Sequence, residues 1–276
     1  MYKLNYDLLF LDLDGTLLST FKKIPKKNLY ALHEFSSLGG KVVITTGKTY
    51  LNTTKYIKQI NNYLERPIEF CACLNGNVIY DLRGGREKVI YEGLISNNDC
   101  KEIYHVCKRN KLGFAPYTKI GVERGKIHST SGTKFASLFK RFNNWNIAKL
   151  RNYQTMQSYK INIFANVFSN KQLYTAYKEL ADNQNIEILK TKKYFYEIVA
   201  KNSNKANAVK LICRALNHPI ARTTAIGDSA NDVPMFQVVG LPVSVKIDNY
   251  ELRNYCHYYV KQKHNKVYWA IKNFII

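Results

Sequence analysis

An apolar run that ends in two aspartates is the feature that most constrains the fold of this chain. Residues 8–11 are Leu-Leu-Phe-Leu, and Asp12, Asp14, Gly15 and Thr16 follow closely. A continuous apolar run is typical of a strand in a parallel sheet that is covered on both faces. Asp12 and Asp14 lie two positions apart, so at a strand end their side chains project to the same side. Two carboxylates at a buried strand tip are unfavourable unless a cation or a proton joins them.

Strand and helix patterns alternate in the first 83 residues and again after residue 200. In the first part, apolar periodicity predicts helices at 26–38 and 50–64 and further strands at 41–47, 68–74 and 78–80. In the last part, it predicts helices at 205–216, 231–238 and 267–274 and strands at 223–228, 242–245 and 258–260. This alternation predicts an α/β fold, with a doubly wound, Rossmann-like parallel sheet and helices on both faces.

The pattern between these two parts is different and mainly antiparallel. It predicts strands at 87–93, 114–118, 121–128, 160–167, 187–190 and 194–199, and helices at 98–110, 133–142 and 171–183. A segment of this length with its own alternation predicts a second domain of α+β type. We therefore expect one core domain built from residues 1–83 and 201–276, with residues 84–200 inserted as a second domain.

The chain carries a large positive charge, with 42 Lys and Arg against 20 Asp and Glu and a net charge of +22. Such a charge raises the hypothesis of a nucleic-acid partner. The basic residues are spread along the chain, however, because residues 84–199 carry 20 Lys and Arg against 9 Asp and Glu, half of the net charge. The sequence has neither zinc-finger spacing nor an arginine-rich arm. We therefore expect no nucleic-acid partner and interpret the charge as a solvated surface that attracts anionic small molecules.

Cysteine usage and hydropathy indicate a cytoplasmic protein. The six cysteines show neither a CxxC pair nor the spacing of a disulfide framework, and free thiols are typical of a reducing compartment. No apolar stretch approaches the roughly 18 residues that span a bilayer. The first strand begins too early to leave room for a signal peptide. We therefore expect no membrane partner, while the oligomeric state stays open.

Small or polar residues follow three of the predicted core strands at their carboxyl ends. The first strand is followed by Asp12 and Asp14, the second by Thr46 and Gly47, and the fourth ends in Asp228. In open parallel sheets, ligands bind beyond the carboxyl ends of the strands, where the strand order reverses. If the first strand lies between the second and the fourth, these groups converge. Lys205, at the start of a helix, would then approach from the side.

This set of groups suits phosphoryl chemistry. Carboxylates without His or Cys are ligands for a hard cation such as Mg²⁺. The Thr46 hydroxyl, the adjacent amides and the Lys205 ammonium are donors suited to phosphate oxygens. One carboxylate can attack phosphorus and form an aspartyl phosphate. A second carboxylate near the leaving oxygen can protonate it and later activate water.

Four motifs, taken in order, resemble those of the haloacid dehalogenase-like (HAD) hydrolase superfamily. They are Asp12-Leu13-Asp14-Gly15-Thr16-Leu17, Thr46-Gly47, Lys205, and Gly227-Asp228-Ser229-Ala230-Asn231-Asp232. Residues 75–79 and 231–235 resemble its Cof-type (IIB) branch, the sugar-phosphate and cofactor phosphatases. Too few residues separate the first two motifs to hold a cap domain. The resemblance therefore implies that residues 84–200 form a cap inserted after the second motif.

The resemblance implies catalytic and metal-binding roles for three aspartates. Asp12 resembles the nucleophile and a metal ligand. Asp14 resembles the general acid and base, whose backbone carbonyl also binds the metal. Asp228 resembles the third metal ligand, and the metal implied by the family is Mg²⁺.

The resemblance also implies phosphate-binding and supporting groups. Thr46 with Gly47 resembles the phosphate-binding turn, and Lys205 resembles the lysine that neutralises charge. Asn231 and Asp232 resemble residues that orient Asp228 or the phosphate. Asn75 resembles the family's residue near the substrate entrance.

Two positions depart from the family pattern. Lys48 follows Thr46-Gly47 where the family usually has Arg, and Ala206 follows Lys205 where Gly is common. Lysine keeps the positive charge but loses the planar fork of a guanidinium. These departures bear on turnover and substrate fit and leave the central groups in place.

The sequence therefore predicts a cytoplasmic, Mg²⁺-dependent phosphatase that hydrolyses small phosphorylated metabolites through an aspartyl phosphate. Sugar phosphates and phosphorylated cofactors are the expected substrates. One alternative is a phosphomutase or phosphotransferase on hexose phosphates, in which the phosphoryl group passes to a sugar hydroxyl rather than to water. Another alternative is a phosphosugar-binding regulator with little or no turnover.

Overall fold

The computed structural model describes residues 4–119, 126–129, 146–149, 156–165, 170–192, 194–246 and 250–276. The chain divides into two compact units, Met1–Tyr91 with Ser203–Ile276, and Glu92–Asn202. The helix predicted at 133–142 lies outside the described residues, as does most of the strand predicted at 121–128. Among the helices that the structure describes, none is both long and apolar enough to cross a membrane.

The regular elements are named here in chain order. The strands are β1 (Leu8–Leu11), β2 (Lys41–Thr45), β3 (Phe70–Cys73), β4 (Val78–Asp81), β5 (Lys88–Glu92), β6 (Gly113–Thr118), β7 (Lys126–Ser129), β8 (Asn146–Lys149), β9 (Ser158–Phe164), β10 (Ile186–Lys192), β11 (Phe195–Ala200), β12 (Thr223–Gly227), β13 (Leu241–Ser244) and β14 (Tyr258–Tyr259). The α-helices are α1 (Lys26–Ser37), α2 (Tyr50–Asn61), α3 (Asn97–Arg109), α4 (Asn170–Leu180), α5 (Lys205–Ala215), α6 (Val233–Phe236), α7 (Tyr250–Arg253) and α8 (Lys266–Phe274).

An eight-stranded sheet forms the centre of the first unit, in the order β14-β13-β12-β1-β2-β3-β4-β5. The strands from β14 to β3 are parallel, and β4 returns antiparallel to β3. Strand β1 lies between β12 and β2, and the chain extends the sheet in opposite directions from it. The strand order therefore reverses at β1, where doubly wound sheets bind their ligands. The predicted α/β fold is confirmed.

The two faces of this sheet carry separate cores because successive side chains of a strand point to opposite faces. Leu9 and Leu11 of β1 belong to a cluster that contains residues of α1, α2 and α8. Leu8 and Phe10 belong to a second cluster, with residues of α5 and α6. All four β1 side chains have 0% exposure. Full burial of such a side chain stabilises the fold by roughly 1.5–3 kcal/mol, so β1 is held firmly from both sides.

Strand β5 is the clearest difference from the predicted arrangement. Its residues were expected among the antiparallel strands of the inserted domain, but β5 lies at the edge of the first sheet beside β4. Gly84 and Gly85 connect the two strands, and Gly85 has a φ of +75°. A glycine-containing turn allows a local reversal, and local hairpin pairing is favoured over pairing with distant strands.

The second unit has its own antiparallel sheet, in the order β10-β11-β9-β6, and a parallel pair, β7 and β8. Ile161 and Ile163 of β9 pack in a cluster with residues of α3 and α4, including Ile103 and Leu173. Ser96 is the N-cap of helix α3, and its hydroxyl accepts the Asp99 N–H at 3.1 Å. The described part of this unit therefore has the α+β character that the sequence predicts.

Candidate active site

Asp12 and Lys205 form a buried ion pair at the tip of β1. Asp12 directly follows the strand, and its N–H donates to the Ile226 carbonyl of β12 at 3.0 Å. The Lys205 ammonium, at the first residue of α5, donates to Asp12 Oδ1 at 2.7 Å and to the Thr45 carbonyl at 3.2 Å. Asp12 is 4% exposed and Lys205 is 0% exposed. The helix start therefore places a cation directly against the strand-tip carboxylate.

Asp232 ties Lys205 to the loop after β12. The Lys205 ammonium donates to its Oδ1 at 2.6 Å. Its other oxygen, Oδ2, accepts the N–H groups of Asp228 at 2.8 Å and Ser229 at 3.0 Å. Both oxygens of Asp232 are thus engaged by protein donors, which suits a residue that shapes the loop and fixes the lysine.

Asp228 completes a group of three buried carboxylates with Asp12 and Asp232. One oxygen of each lies within 4.8 Å of one oxygen of each of the others. The Thr16 hydroxyl donates to Asp228 Oδ1 at 3.3 Å. Oxygen-only ligands at this spacing suit a hard divalent cation. Because Asp232 is engaged on both oxygens, Asp12 and Asp228 are the better candidates for ligands.

The electrostatics of the group favour a cation. Burial raises the pKa of Asp12 to about 7, although the Lys205 ammonium opposes this shift. Burial also raises the pKa of Asp228, and the charge of Asp232 adds to the effect. Burial alone would lower the pKa of Lys205, but the carboxylates of Asp12 and Asp232 outweigh it and raise that pKa. The Lys205 ammonium therefore does not fully offset the cost of burying Asp12 and Asp228 as anions, and a bound cation would.

Asp14 lies outside this group and faces two other lysines. Its Oδ1 is 2.6 Å from the Lys22 ammonium and its Oδ2 is 2.6 Å from the Lys48 ammonium. Burial acts to raise the pKa of Asp14, but the hydrogen bonds from Lys22 and Lys48 outweigh it and lower that pKa. The Asp14 side chain is 40% exposed, so it remains open to a ligand or to water.

The turn after β2 and the loop after β3 are joined by hydrogen bonds. Thr46 is fully buried, and its hydroxyl accepts the Lys48 N–H at 3.2 Å. The Thr46 carbonyl accepts the Asn75 N–H at 2.9 Å. The Asn75 side-chain oxygen then accepts from Asn231 Nδ2 at 3.0 Å. A Cβ on Gly47 would lie 3.1 Å from that same oxygen, so glycine allows the two loops to approach closely.

The structure brings most of the predicted site residues together. One set of contacts links Asp12, Lys205, Asp228 and Asp232, and a second links Thr46, Gly47, Asn75 and Asn231. Lys205 joins the two sets through the Thr45 carbonyl, next to Thr46. Asp14 is connected to the second set through Lys48, and it also contacts Lys22. Sequence reasoning missed Lys22, since no spacing rule connects it to Asp14. It also missed the Thr16 hydroxyl, although its place in the first motif could have indicated a role.

Gly15 offers a test of how closely the site is packed. It has a φ of +82°, and a Cβ there would lie 2.3 Å from Asp228 Oδ2. We expect Gly15→Ala to displace the Asp228 carboxylate and to lower kcat/KM by at least about tenfold, because small displacements of active-site groups are costly. Phosphatase assays of the purified variant would measure this loss.

Gly39→Ala is the matched control. Gly39 has a similar φ of +93°, but a Cβ there would meet nothing within 4 Å. Both variants bear the cost of a left-handed alanine, about 1 kcal/mol. Only Gly15→Ala should lose activity, so an equal loss in both variants would show that backbone strain, not contact with Asp228, is responsible.

Comparison with known proteins identifies the family. The model of the haloacid dehalogenase-like hydrolases matches residues 9–271, so the chain belongs to this family. A provisionally named phosphatase of Mycoplasma pneumoniae is 30% identical over 251 residues, covering 84% of each chain. The 5-amino-6-(5-phospho-D-ribitylamino)uracil phosphatase YcsE of Bacillus subtilis is 23% identical and covers 86% of this chain and 83% of its own.

A solved structure gives the same result for the fold. The HAD subclass IIB sugar phosphatase BT4131 superposes with a TM-score of 0.77 at 20% identity, and the match covers 97% of this chain and 98% of that one. The predicted fold and the predicted membership of the haloacid dehalogenase-like hydrolases are confirmed.

Proposed function

We propose that this chain is a Mg²⁺-dependent phosphatase that hydrolyses small phosphorylated metabolites through an aspartyl phosphate on Asp12. The observation that carries the proposal is the pairing of Asp12 with the Lys205 ammonium at the tip of β1, where the strand order reverses. The Lys205 ammonium donates a hydrogen bond to Asp12 Oδ1 and thereby orients the carboxylate. Within the described residues, no hydrogen bond is formed by Asp12 Oδ2, which is the candidate nucleophilic atom.

The proposed reaction has two steps. In the first, Asp12 Oδ2 forms a bond to phosphorus while the bond from phosphorus to the ester oxygen breaks. Asp14 must bind a proton before this step, although Lys22 and Lys48 lower its pKa. It then donates that proton to the departing oxygen and becomes a carboxylate. In the second, Asp14 takes a proton from a water molecule, whose oxygen attacks phosphorus and releases phosphate from Asp12. Lys205 stays charged throughout and stabilises the negative charge around Asp12.

The donor set fits Mg²⁺. Asp12 and Asp228 would hold it with the backbone carbonyl of Asp14, while Asp232 fixes Lys205 and the loop after β12. When bound, Mg²⁺ would neutralise the charge of the phosphoryl oxygens. Thr46, Gly47 and Asn231 are proposed to bind the phosphate, with Asn75 holding Asn231 in place.

The substrate class is proposed from chemistry and from relatives. The YcsE protein is named for a phosphorylated ribityl compound and BT4131 for sugar phosphates. Both names describe phosphatases of small phosphorylated compounds. We propose sugar phosphates or phosphorylated cofactors as substrates here too. We also propose the second unit, Glu92–Asn202, as the cap domain that selects the leaving group. Residues 84–91, which the sequence assigned to the cap, belong to the first unit.

Metal removal and a substrate screen test the proposal. We expect phosphate release from p-nitrophenyl phosphate and from a panel of sugar and cofactor phosphates to require Mg²⁺. EDTA should reduce the rate by at least about 100-fold, with recovery on adding Mg²⁺. Asp228→Asn should raise the Mg²⁺ concentration needed for half-maximal activity. Isomerised hexose phosphates in place of free phosphate would contradict hydrolysis and indicate a mutase.

A further inference from the structure

The two lysines on Asp14 point to the kind of substrate that this site prefers. We propose that Lys22 and Lys48 bind a second anionic group of the substrate, a carboxylate or a further phosphate, beyond the phosphoryl group that is transferred. This inference rests on the proposed phosphatase function and deepens it. Within the proposed class, the preferred substrates would then be phosphorylated sugar acids, bisphosphates or cofactors that carry a second anionic group, rather than sugars with a single phosphate.

The charges around Asp14 do not balance. Each oxygen of its single carboxylate receives one ammonium, Lys22 or Lys48, at 2.6 Å. One negative charge therefore faces two positive charges. An ammonium has three N–H donors, and the contact with Asp14 uses one from each lysine. The remaining donors can bind an anionic group of a ligand without breaking the contact with Asp14.

Lys48 is held in place by its backbone. Its N–H donates to the Thr46 hydroxyl at 3.2 Å, and its carbonyl accepts the Leu74 N–H at 2.9 Å. Its side chain is only 20% exposed, which is low for a lysine. An ammonium on an anchored, half-buried stem loses less freedom when it binds an anion than one on a free surface does.

Lys22 is held by a turn that adopts an uncommon backbone conformation. The turn is closed by bonds from the Ser19 N–H to the Lys23 carbonyl and from the Lys22 N–H to the Ser19 carbonyl, both 2.9 Å. Lys22 itself has a φ of +58°, which favours glycine or asparagine. The Tyr56 hydroxyl donates to its carbonyl at 3.3 Å. These contacts fix the backbone from which the Lys22 side chain reaches Asp14.

Two further lysines add to the positive charge near this site. Lys266 donates from its ammonium to a neutral acceptor, the Gly15 carbonyl, at 2.9 Å. Lys246 is exposed, and its charge acts on Asp228 together with that of Lys266. The side chains of Lys22 and Asp14 are 59% and 40% exposed, so solvent reaches them and a ligand can too. The surplus charge is therefore placed where a second anionic group of a bound substrate could contact it.

Pairs of substrates that differ by one anionic group test the inference. One pair is 3-phosphoglycerate and glycerol 3-phosphate. The other pair is fructose 1,6-bisphosphate and fructose 6-phosphate. For each enzyme the measured quantity is the ratio of kcat/KM within a pair, which cancels differences in active fraction. We expect the wild-type protein to prefer the member with the additional anion by about tenfold. Lys22→Gln and Lys48→Gln should each lower this ratio by about three- to fivefold, mainly through KM.

Two control variants separate the two lysines from general charge. Lys23→Gln removes the neighbouring exposed lysine of the same turn, and its ratio should equal that of the wild type. Lys48→Arg keeps the charge and should retain most of the preference. Equal ratios in the wild type, Lys22→Gln and Lys48→Gln would overturn the inference and leave the phosphatase function intact.

Binding without turnover provides a separate readout. Calorimetry on Asp12→Asn should show tighter binding of 3-phosphoglycerate than of glycerol 3-phosphate, and Lys22→Gln in that background should reduce the difference. Absence of any phosphatase activity in the wild type would instead overturn the proposed function. In that event the binding ratio still tests the role of Lys22 and Lys48, so the two failures are distinguishable.

Discussion

Asp12→Asn is expected to abolish the phosphoenzyme and to lower kcat by at least about 1,000-fold, because an amide cannot serve as the nucleophile. The substitution keeps the shape of the side chain and one oxygen that can accept from Lys205. The fold should therefore persist, and the loss should be chemical. Rapid-quench experiments with ³²P-labelled substrate would detect the acid-stable protein phosphate in the wild type and its absence in the variant.

Asp14→Asn should fail in a different way. Without a proton donor, formation and breakdown of the phosphoenzyme should slow by roughly 100- to 10,000-fold. The loss should be greatest for alkyl phosphates, whose leaving oxygen needs a proton, and smaller for p-nitrophenyl phosphate. A plot of log kcat/KM against leaving-group pKa measures this difference. A flat plot for both enzymes would contradict the division of roles between Asp12 and Asp14.

Lys205→Met is expected to lower the free energy of unfolding by about 3–5 kcal/mol, as removal of one partner of a buried ion pair does. The ammonium lies 2.7 Å from Asp12 and 2.6 Å from Asp232, and all three side chains are almost fully buried. Methionine fills similar space but leaves two carboxylates without their cation. Urea unfolding in EDTA, followed by circular dichroism, would measure the change without help from a bound metal.

Lys41→Met is the control for this prediction. Lys41 pairs with Glu69 at 3.1 Å, but their side chains are 33% and 30% exposed. Pairs in contact with water contribute at most about 1 kcal/mol. A similar decrease in the free energy of unfolding in both variants would show that burial does not determine how much the Lys205 contacts stabilise the fold. Addition of Mg²⁺ should stabilise both variants, because both keep the proposed metal ligands, and it should narrow the difference in stability between them.

The sequence was most informative where a residue directly follows or begins a regular element. Asp12 and Asp228 were predictable because each comes at the carboxyl end of an apolar strand, and parallel strands end at one edge of the sheet. Lys205 was predictable as the first residue of a helix at that edge. These positions depend on strand order and periodicity, which local sequence patterns encode.

The contacts that could not be predicted depend on loop conformation. Lys22 reaches Asp14 from the turn 19–23, in which Lys22 itself has a left-handed backbone conformation. Asn75 and Asn231 meet across 156 positions because the loops after β3 and β12, each with its own geometry, approach each other. The sequence allowed β5 to pair either with β4, through the glycine turn, or with a distant strand of the second unit. In each case several backbone conformations fit the sequence, and tertiary packing selects one.

The central place of β1 has a consequence for biosynthesis. This apolar strand is made first, but one of its two neighbours, β12, begins at Thr223. Until that strand is synthesised, β1 has an open edge whose backbone groups can pair with other chains, a known risk for aggregation. The ion pair between Asp12 and Lys205, which spans 193 positions, also forms only late. A ribosome-bound chain should therefore need protection, by a chaperone or by fast synthesis, until its last third emerges.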